Sequence, residues 1–185
     1  MLNFAQERFC LDEKRVYATG KSQGGGFVGQ LACDAALSPR FAAFAPVSGA
    51  YYITDVDRKQ DCHPENVTIP CAAPDRPGGV PVMAFHGGAD DVIKYDGGWR
   101  GGACLPAVPH WAGAWALRDG LRAPESNHRE IPGSVNGEII GFGEGLVTLV
   151  YDGDDVGHVW PNRDNSAFEA SNMIMDFFRE HSLES

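Results

Sequence analysis

The chain has 185 residues and a formal charge of −10, from 15 lysines and arginines against 25 aspartates and glutamates. This acidic balance excludes a basic nucleic-acid groove as the main binding surface. Hydrophobic residues make up 43% and charged residues 22%, which indicates one globular domain with a core. Apolar runs such as 145–151 fall far short of the roughly 20 residues of a membrane helix, so we expect a soluble protein without a membrane partner.

Apolar stretches typical of strands alternate along the chain with stretches typical of helices. The last helix is predicted to begin with a capping box formed by Ser166 and Glu169. The alternation predicts an α/β fold with a mainly parallel sheet covered by helices on both faces. The predicted strands are 15–20, 41–47, 80–86 and 146–151, and the predicted helices are 23–37, 107–121 and 166–181.

Residues 55–81 show no periodicity and are predicted to form a long irregular excursion. Cys62 and Cys71 are candidates for a disulfide that closes a small loop within it. Five cysteines with one left free still allow fifteen two-bridge pairings. Asn66 begins an N-glycosylation sequon, and sequon and cysteines together favour an oxidising compartment, although the chain starts without a signal sequence.

The sequence GKSQG at 20–24 matches the G-x-S-x-G motif and lies between a predicted strand and a predicted helix. In such a turn, glycines two residues before and after Ser22 relieve clashes, and the helix dipole stabilises negative charge beside the serine. A phosphate-binding loop would need a glycine at position 15, where Arg15 stands. Taken alone, the motif still allows a glycine-rich structural turn.

A nucleophilic serine needs a base, and the base needs an orienting carboxylate. Asp90 and Asp91 follow the predicted strand 80–86, and His158 follows the strand 146–151. These positions leave room for strands and helices between the three residues, and the order Ser, Asp, His is that of α/β-hydrolases. The sequence therefore predicts a triad of Ser22, Asp90 or Asp91, and His158.

No metal or cofactor is predicted, because the sequence lacks H-E-x-x-H and paired histidines at ligand spacing. Asp152, Asp154 and Asp155 lack the other positions of a calcium loop, and we predict that they are solvated acids beside the base. His86, at the end of a predicted strand, is expected to be a core residue or a neighbour of the site.

Three stretches of the sequence resemble the fungal type C feruloyl esterases, which are secreted α/β-hydrolases related to polyhydroxybutyrate depolymerases and carbohydrate esterases. These stretches are VYATGKSQGGGFV at 16–28, HGGAD at 86–90 and GHVWP at 157–161, and APVSGA at 45–50 and RGGACL at 100–105 also fit. The resemblance covers essentially the whole chain. It implies a three-layer α/β-hydrolase fold and a secreted, extracellular protein.

By this resemblance Ser22 is the nucleophile, Asp90 the orienting acid and His158 the general base. The backbone N–H of Gln23 is implied to be one oxyanion donor, and Asp91 is the weaker candidate for the acid. The implied reaction releases ferulic and related cinnamic acids from arabinose residues of xylan, without a cofactor. The expected partner is therefore feruloylated polysaccharide of plant cell walls.

Two alternatives remain open at this point. An acetylxylan esterase or polyester depolymerase of the same group would use the same triad, and a catalytically silent fragment would retain only a sugar-facing surface. Tryptophan side chains could stack on a phenolic or sugar ring, although the spacing of Trp111 and Trp115 equally predicts helix core. The four tryptophans are Trp99, Trp111, Trp115 and Trp160.

The resemblance also implies a departure at the start of the chain. In this fold several strands, and the loop with the second oxyanion N–H, precede the nucleophile, whereas only 21 residues precede Ser22 here. We therefore expect 1–185 to be a partial α/β-hydrolase catalytic domain whose N-terminal strands are missing. The strand at 15–19 would then have an unpaired apolar edge, and we expect 1–185 alone to aggregate or to show negligible activity.

Overall fold

The computed structural model of the chain describes residues 2–72, 76–121 and 127–183. Helices and strands alternate over residues 2–47, whereas the later strands of these ranges come in two consecutive runs separated by one α-helix. The α-helices are α1 (Leu2–Arg8), α2 (Gln23–Cys33), α3 (Val108–Arg118) and α4 (Ala170–Glu180). The strands are β1 (Tyr17–Lys21), β2 (Ala43–Val47), β3 (Val82–His86), β4 (Gly98–Arg100), β5 (Ala103–Leu105), β6 (Asn127–Glu130), β7 (Glu138–Phe142) and β8 (Val147–Tyr151).

Six of the strands form one sheet in the order β1-β2-β3-β8-β7-β6. Strands β1, β2, β3 and β8 are parallel, and they are the four strands that the sequence predicts. Strands β7 and β6 extend the sheet in antiparallel fashion, and β4 pairs with β5 in a separate hairpin. The expectation of an α/β fold with a mainly parallel sheet is therefore confirmed.

The core lies on both faces of the sheet, because side chains alternate along each strand. In β2, Phe44 packs with residues of α2 and α3, whereas Val47 packs with residues of α4. Trp111 and Trp115 are buried in the first of these layers, so they belong to the core, as their spacing predicts. The predicted covering of both sheet faces is confirmed.

Helix α2 begins at Gln23, as predicted, but it ends at Cys33 instead of residue 37. Asp34 explains the early end, since its Oδ1 accepts hydrogen bonds from the backbone N–H groups of Ala36 and Leu37, each at 2.8 Å. This local bond gives the backbone an alternative to further helix.

Helix α4 begins at Ala170, four residues later than predicted, and the predicted capping box is wrong. Ser166 Oγ instead donates a hydrogen bond to Asp152 Oδ1 at 2.6 Å, and Glu169 Oε1 accepts one from the backbone N–H of Arg163 at 3.0 Å. Both side chains therefore bind groups outside the first turn of the helix.

The irregular excursion is held by two disulfides, Cys33–Cys71 and Cys62–Cys104. The candidate pairing of Cys62 with Cys71 is thus wrong, because each of them bonds to a cysteine on a neighbouring element. Closing loops of 38 and 42 residues stabilises the fold by about 4 kcal/mol each on chain-entropy grounds. Cys10 is exposed and has no cysteine partner among the described residues. The two disulfides are consistent with an oxidising compartment.

None of the helices in the described ranges combines the length and apolar character needed to cross a membrane.

Candidate active site

Ser22 lies in the tight turn between β1 and α2, with φ 59° and ψ −120°. A positive φ is uncommon for a residue with a side chain, and such strained positions cluster at functional sites. The turn is fixed by its backbone: the N–H of Ser22 donates to the carbonyl of Val47 at 3.0 Å, and its carbonyl accepts from Gly26 at 2.9 Å and Ala50 at 3.0 Å. The half-buried serine is therefore held rigidly beyond the carboxyl end of β1.

The glycines around Ser22 do not all serve the same purpose. A Cβ on Gly20 would lie 2.7 Å from the backbone of Gly24, and a Cβ on Gly26 would lie 2.1 Å from the carbonyl oxygen of Ala50. A Cβ on Gly24 would meet nothing within 4 Å. The prediction that both motif glycines relieve a clash thus holds for Gly20 and is wrong for Gly24. Gly25 and Gly26 are instead both closely approached by neighbouring backbone.

Asp90 lies in the loop after β3 and is 3% exposed. Its Oδ1 accepts backbone hydrogen bonds from Val92 at 3.0 Å and Ile93 at 2.8 Å, and its Oδ2 is 2.7 Å from His158 Nδ1. Burial alone would raise the pKa of Asp90, but the contact of its carboxylate with His86 and its hydrogen bonds from His158 and the N–H of Ile93 outweigh burial and lower that pKa to about 2. Asp90 is therefore an ionised, buried acceptor at neutral pH.

Asp91, the other candidate acid, is exposed to solvent. Within the described part of the chain, the histidine bond goes to Asp90 and not to Asp91. The geometry thus distinguishes two neighbouring acids that sequence spacing leaves as alternatives.

His158 lies in the loop after β8, and its side chain is 14% exposed. Two backbone bonds join this loop to the Asp90 loop: Gly88 N–H donates to Gly153 O at 2.8 Å, and Ala89 N–H donates to Val156 O at 2.9 Å. A carboxylate only accepts, so Nδ1 of His158 carries the proton of the bond to Asp90. In the neutral ring, Nε2 is then free to accept a proton.

Ser22, Asp90 and His158 follow β1, β3 and β8, so all three lie at the same edge of the parallel sheet. The structure brings Asp90 and His158 into contact, but among the described residues it shows no hydrogen bond between Ser22 Oγ and His158. Such bonds are often long in unliganded enzymes. Gln23, the proposed oxyanion donor, is the first residue of α2, where a backbone N–H has no acceptor within the helix.

Asp152 is fully buried, so the prediction that it is a solvated acid is wrong. Its Oδ1 accepts the Ser166 hydroxyl at 2.6 Å, and its backbone N–H donates to the carbonyl of His86 at 2.9 Å. In the described part of the chain its Oδ2 is buried without a hydrogen-bond partner. Asp154 and Asp155 are exposed, as predicted. Three aspartates close together in the sequence do not reveal that Asp152 is the one that is buried.

Asp152→Asn is expected to change how stability depends on pH. Burial, and then the charge of Asp155, raise the pKa of Asp152 above its usual value, against the hydrogen bond from Ser166. When the pKa of an acid is higher in the folded state than in the unfolded state, its contribution to the free energy of unfolding is fully present below the unfolded-state pKa. That contribution is lost as the pH rises through the folded-state pKa. The asparagine variant should therefore match the parent in acid and exceed it at neutral pH. Urea unfolding from pH 3 to pH 8 measures this; a variant less stable than the parent at neutral pH would contradict it.

A groove of about 820 Å³ runs along α2 and the residues after β2. Its walls include Tyr52, Ile53 and the Cys33–Cys71 disulfide, and they include neither Ser22, Asp90 nor His158. The groove thus lies beside the candidate site and does not contain it.

In residues 2–72, 76–121 and 127–183, no three histidine, cysteine or acidic side chains are grouped as metal ligands would be.

Comparisons with known proteins add one similarity. No protein-family profile matches the chain. Over 99 residues, or 52% of its length, the chain is 35% identical to feruloyl esterase B of Piromyces equi, and it covers 16% of that protein. The chain is therefore similar, over about half of its length, to a protein named as an esterase, and this similarity suggests a carboxylesterase-type function.

Proposed function

We propose that this protein is a serine carboxylesterase of the α/β-hydrolase fold. The observation that carries the proposal is the 2.7 Å contact between the Asp90 carboxylate and His158 Nδ1, at the sheet edge where Ser22 lies in a strained turn. This is the base and orienting acid that a nucleophilic serine requires. The similarity to an esterase supports the same reaction class.

In the proposed reaction, Ser22 Oγ attacks the ester carbonyl while His158 Nε2 accepts the hydroxyl proton. Asp90 stabilises the imidazolium and remains ionised. The N–H of Gln23 donates to the oxyanion that forms on the carbonyl oxygen. The C–O bond to the alcohol then breaks, and His158 returns the proton to the leaving oxygen. Water, deprotonated by His158, then attacks the acyl-enzyme. The bond between the acyl carbon and Ser22 Oγ breaks, His158 returns the proton to Oγ, and the acid is released.

For the substrate we propose ferulic or related cinnamic esters on the arabinose of plant cell-wall xylan, as in type C feruloyl esterases. The support is the resemblance of the motifs around Ser22, Asp90 and His158, together with the similarity over about half of the chain to a protein named feruloyl esterase B. An acetylxylan esterase or polyester depolymerase would use the same residues and differ in the acyl group.

We also propose that the protein is secreted and carries a glycan on Asn66. Asn66 and Thr68 of the sequon are both exposed, so a transferase can reach them in the folded region. The Cys62–Cys104 disulfide, close to the sequon along the chain, fits the same compartment.

The acyl preference is tested with 4-nitrophenyl ferulate and 4-nitrophenyl acetate, which share one leaving group. We expect kcat/KM to be about tenfold or more higher for the ferulate ester, because its aromatic ring buries more apolar surface. Ser22→Ala, assayed in parallel, shows which part of the turnover belongs to the site. A preference for the acetate ester would favour the acetylxylan esterase alternative, and equal turnover in Ser22→Ala would contradict the proposed esterase.

A further inference from the structure

A second histidine lies against Asp90, on the protein-interior side. His86 is the last residue of β3, and its side chain is completely buried. Its Nε2 is 2.7 Å from the carbonyl oxygen of Ile93 and 3.4 Å from Asp90 Oδ2. Asp90 Oδ2 thus faces two imidazole rings, one from His86 and one from His158.

The partners of His86 determine where its proton lies. A backbone carbonyl only accepts hydrogen bonds, so the 2.7 Å contact to Ile93 requires a proton on Nε2. The other ring nitrogen, Nδ1, is buried and has no hydrogen-bond partner in the described residues. A proton there would be a buried, unsatisfied donor, which is costly. The contacts therefore select the neutral form of His86 with its proton on Nε2.

Ile93 links His86 to the carboxylate of Asp90 through its backbone. Ile93 accepts from His86 through its carbonyl and donates through its N–H to Asp90 Oδ1 at 2.8 Å. His86 therefore fixes the position of Ile93, and the N–H of Ile93 in turn fixes the Asp90 carboxylate. At Oδ2 the shorter contact, 2.7 Å, belongs to His158 and the longer one, 3.4 Å, to His86, so His86 supports the carboxylate without displacing its main partner.

We propose that His86 is a positioning residue, whose Nε2–H fixes the turn at 90–93 so that Asp90 Oδ2 points at His158. The catalytic consequence rests on the proposed esterase function, whereas the positioning itself does not. An acid that must orient a base is effective only when held in place, and a displacement of about 1 Å can cost 10²-fold in rate.

The test compares two amide replacements of His86, made in the natural protein. Glutamine can place an N–H where imidazole Nε2 lies, whereas asparagine is too short to reach the Ile93 carbonyl. We expect His86→Asn to lower kcat by about 10- to 100-fold with little change in KM, and His86→Gln to keep most of the activity. His110→Asn is the matched control, since His110 Nε2 also contacts a backbone carbonyl, that of Val67 at 2.8 Å, but lies apart from the acid. It should leave kcat unchanged.

Nuclear magnetic resonance of the protein with ¹⁵N-labelled histidine tests the positioning without turnover. We expect a proton on Nε2 and none on Nδ1 of His86 in the parent. The Nδ1–H signal of His158 should persist in His86→Gln and be lost or shifted in His86→Asn.

The outcomes distinguish a failure of the proposed positioning role of His86 from a failure of the proposed esterase function. A proton on Nδ1 of His86, or an unchanged His158 signal in a folded His86→Asn variant, would overturn the positioning role, as would equal kcat losses in the two His86 variants. Should the asparagine variant not fold, the tautomer in the parent and the signal in His86→Gln still decide. Loss of the proposed esterase function would appear differently, as equal ester turnover by the parent and Ser22→Ala.

Discussion

Ser22→Ala is expected to abolish ester hydrolysis in the natural protein, with kcat falling by up to about 10⁶-fold. The reason is that alanine has no hydroxyl to attack the ester carbonyl, so the acyl-enzyme cannot form. Stopped assays with a ferulate ester, together with thermal unfolding, measure the loss and show that the variant is folded. Ser171→Ala, which changes an exposed serine on α4, is the control and should turn over at the parental rate.

The result that would contradict this prediction is a Ser22→Ala variant that keeps a tenth or more of the parental kcat. The strained turn at Ser22 would then need another explanation, such as a purely structural role in joining β1 to α2.

Asp90→Asn is expected to lower kcat by about 10³- to 10⁴-fold, because the amide selects the wrong tautomer of the base. The structure provides a matched control one residue away. Asp91 is exposed, and the contact to His158 comes from Asp90, so Asp91→Asn should change kcat little. Initial rates for both variants on the same ester decide between the acids, and the reverse order of losses would assign the role to Asp91.

The same variant has an expected effect on stability. Hydrogen bonds lower the folded-state pKa of Asp90 to about 2. The contribution of Asp90 to the free energy of unfolding is therefore present above the unfolded-state pKa and is lost as the pH falls towards 2. Asp90→Asn should therefore be less stable than the parent at neutral pH, with a difference that shrinks in acid. Urea unfolding at pH 7 and pH 3 measures it.

The parallel part of the sheet was predictable because its strands are short apolar runs bounded by turn residues. β6, with the sequence NHRE, was not, since all four residues are exposed and carry no apolar signal. It forms by pairing with β7, which is a tertiary effect. The last residue of α2 and the first residue of α4 were predicted wrongly for a related reason. The side chains of Asp34 and Ser166 form hydrogen bonds that sequence periodicity does not reveal.

At the candidate site, sequence spacing predicted which loops contribute to the site but not which residue of each loop does so. Spacing alone leaves Asp90 and Asp91 as alternatives and the resemblance favours Asp90, and in the folded chain burial and the contact to His158 separate the two acids. The burial of Asp152 depends on its bond to Ser166, which lies 14 residues away along the chain. The disulfide pairing is likewise a property of the folded chain.

Covalent labelling with an alkyl fluorophosphonate, followed by peptide mass mapping, tests the central proposal most directly. The reagent reacts with a serine only when a base activates its hydroxyl, so it reports on the site without assuming an acyl preference. We expect a single adduct on Ser22 in the parent, none in Ser22→Ala, and much slower labelling in Asp90→Asn. An adduct on another residue, or a Ser22 that stays unmodified in the folded natural protein, would contradict the proposed esterase.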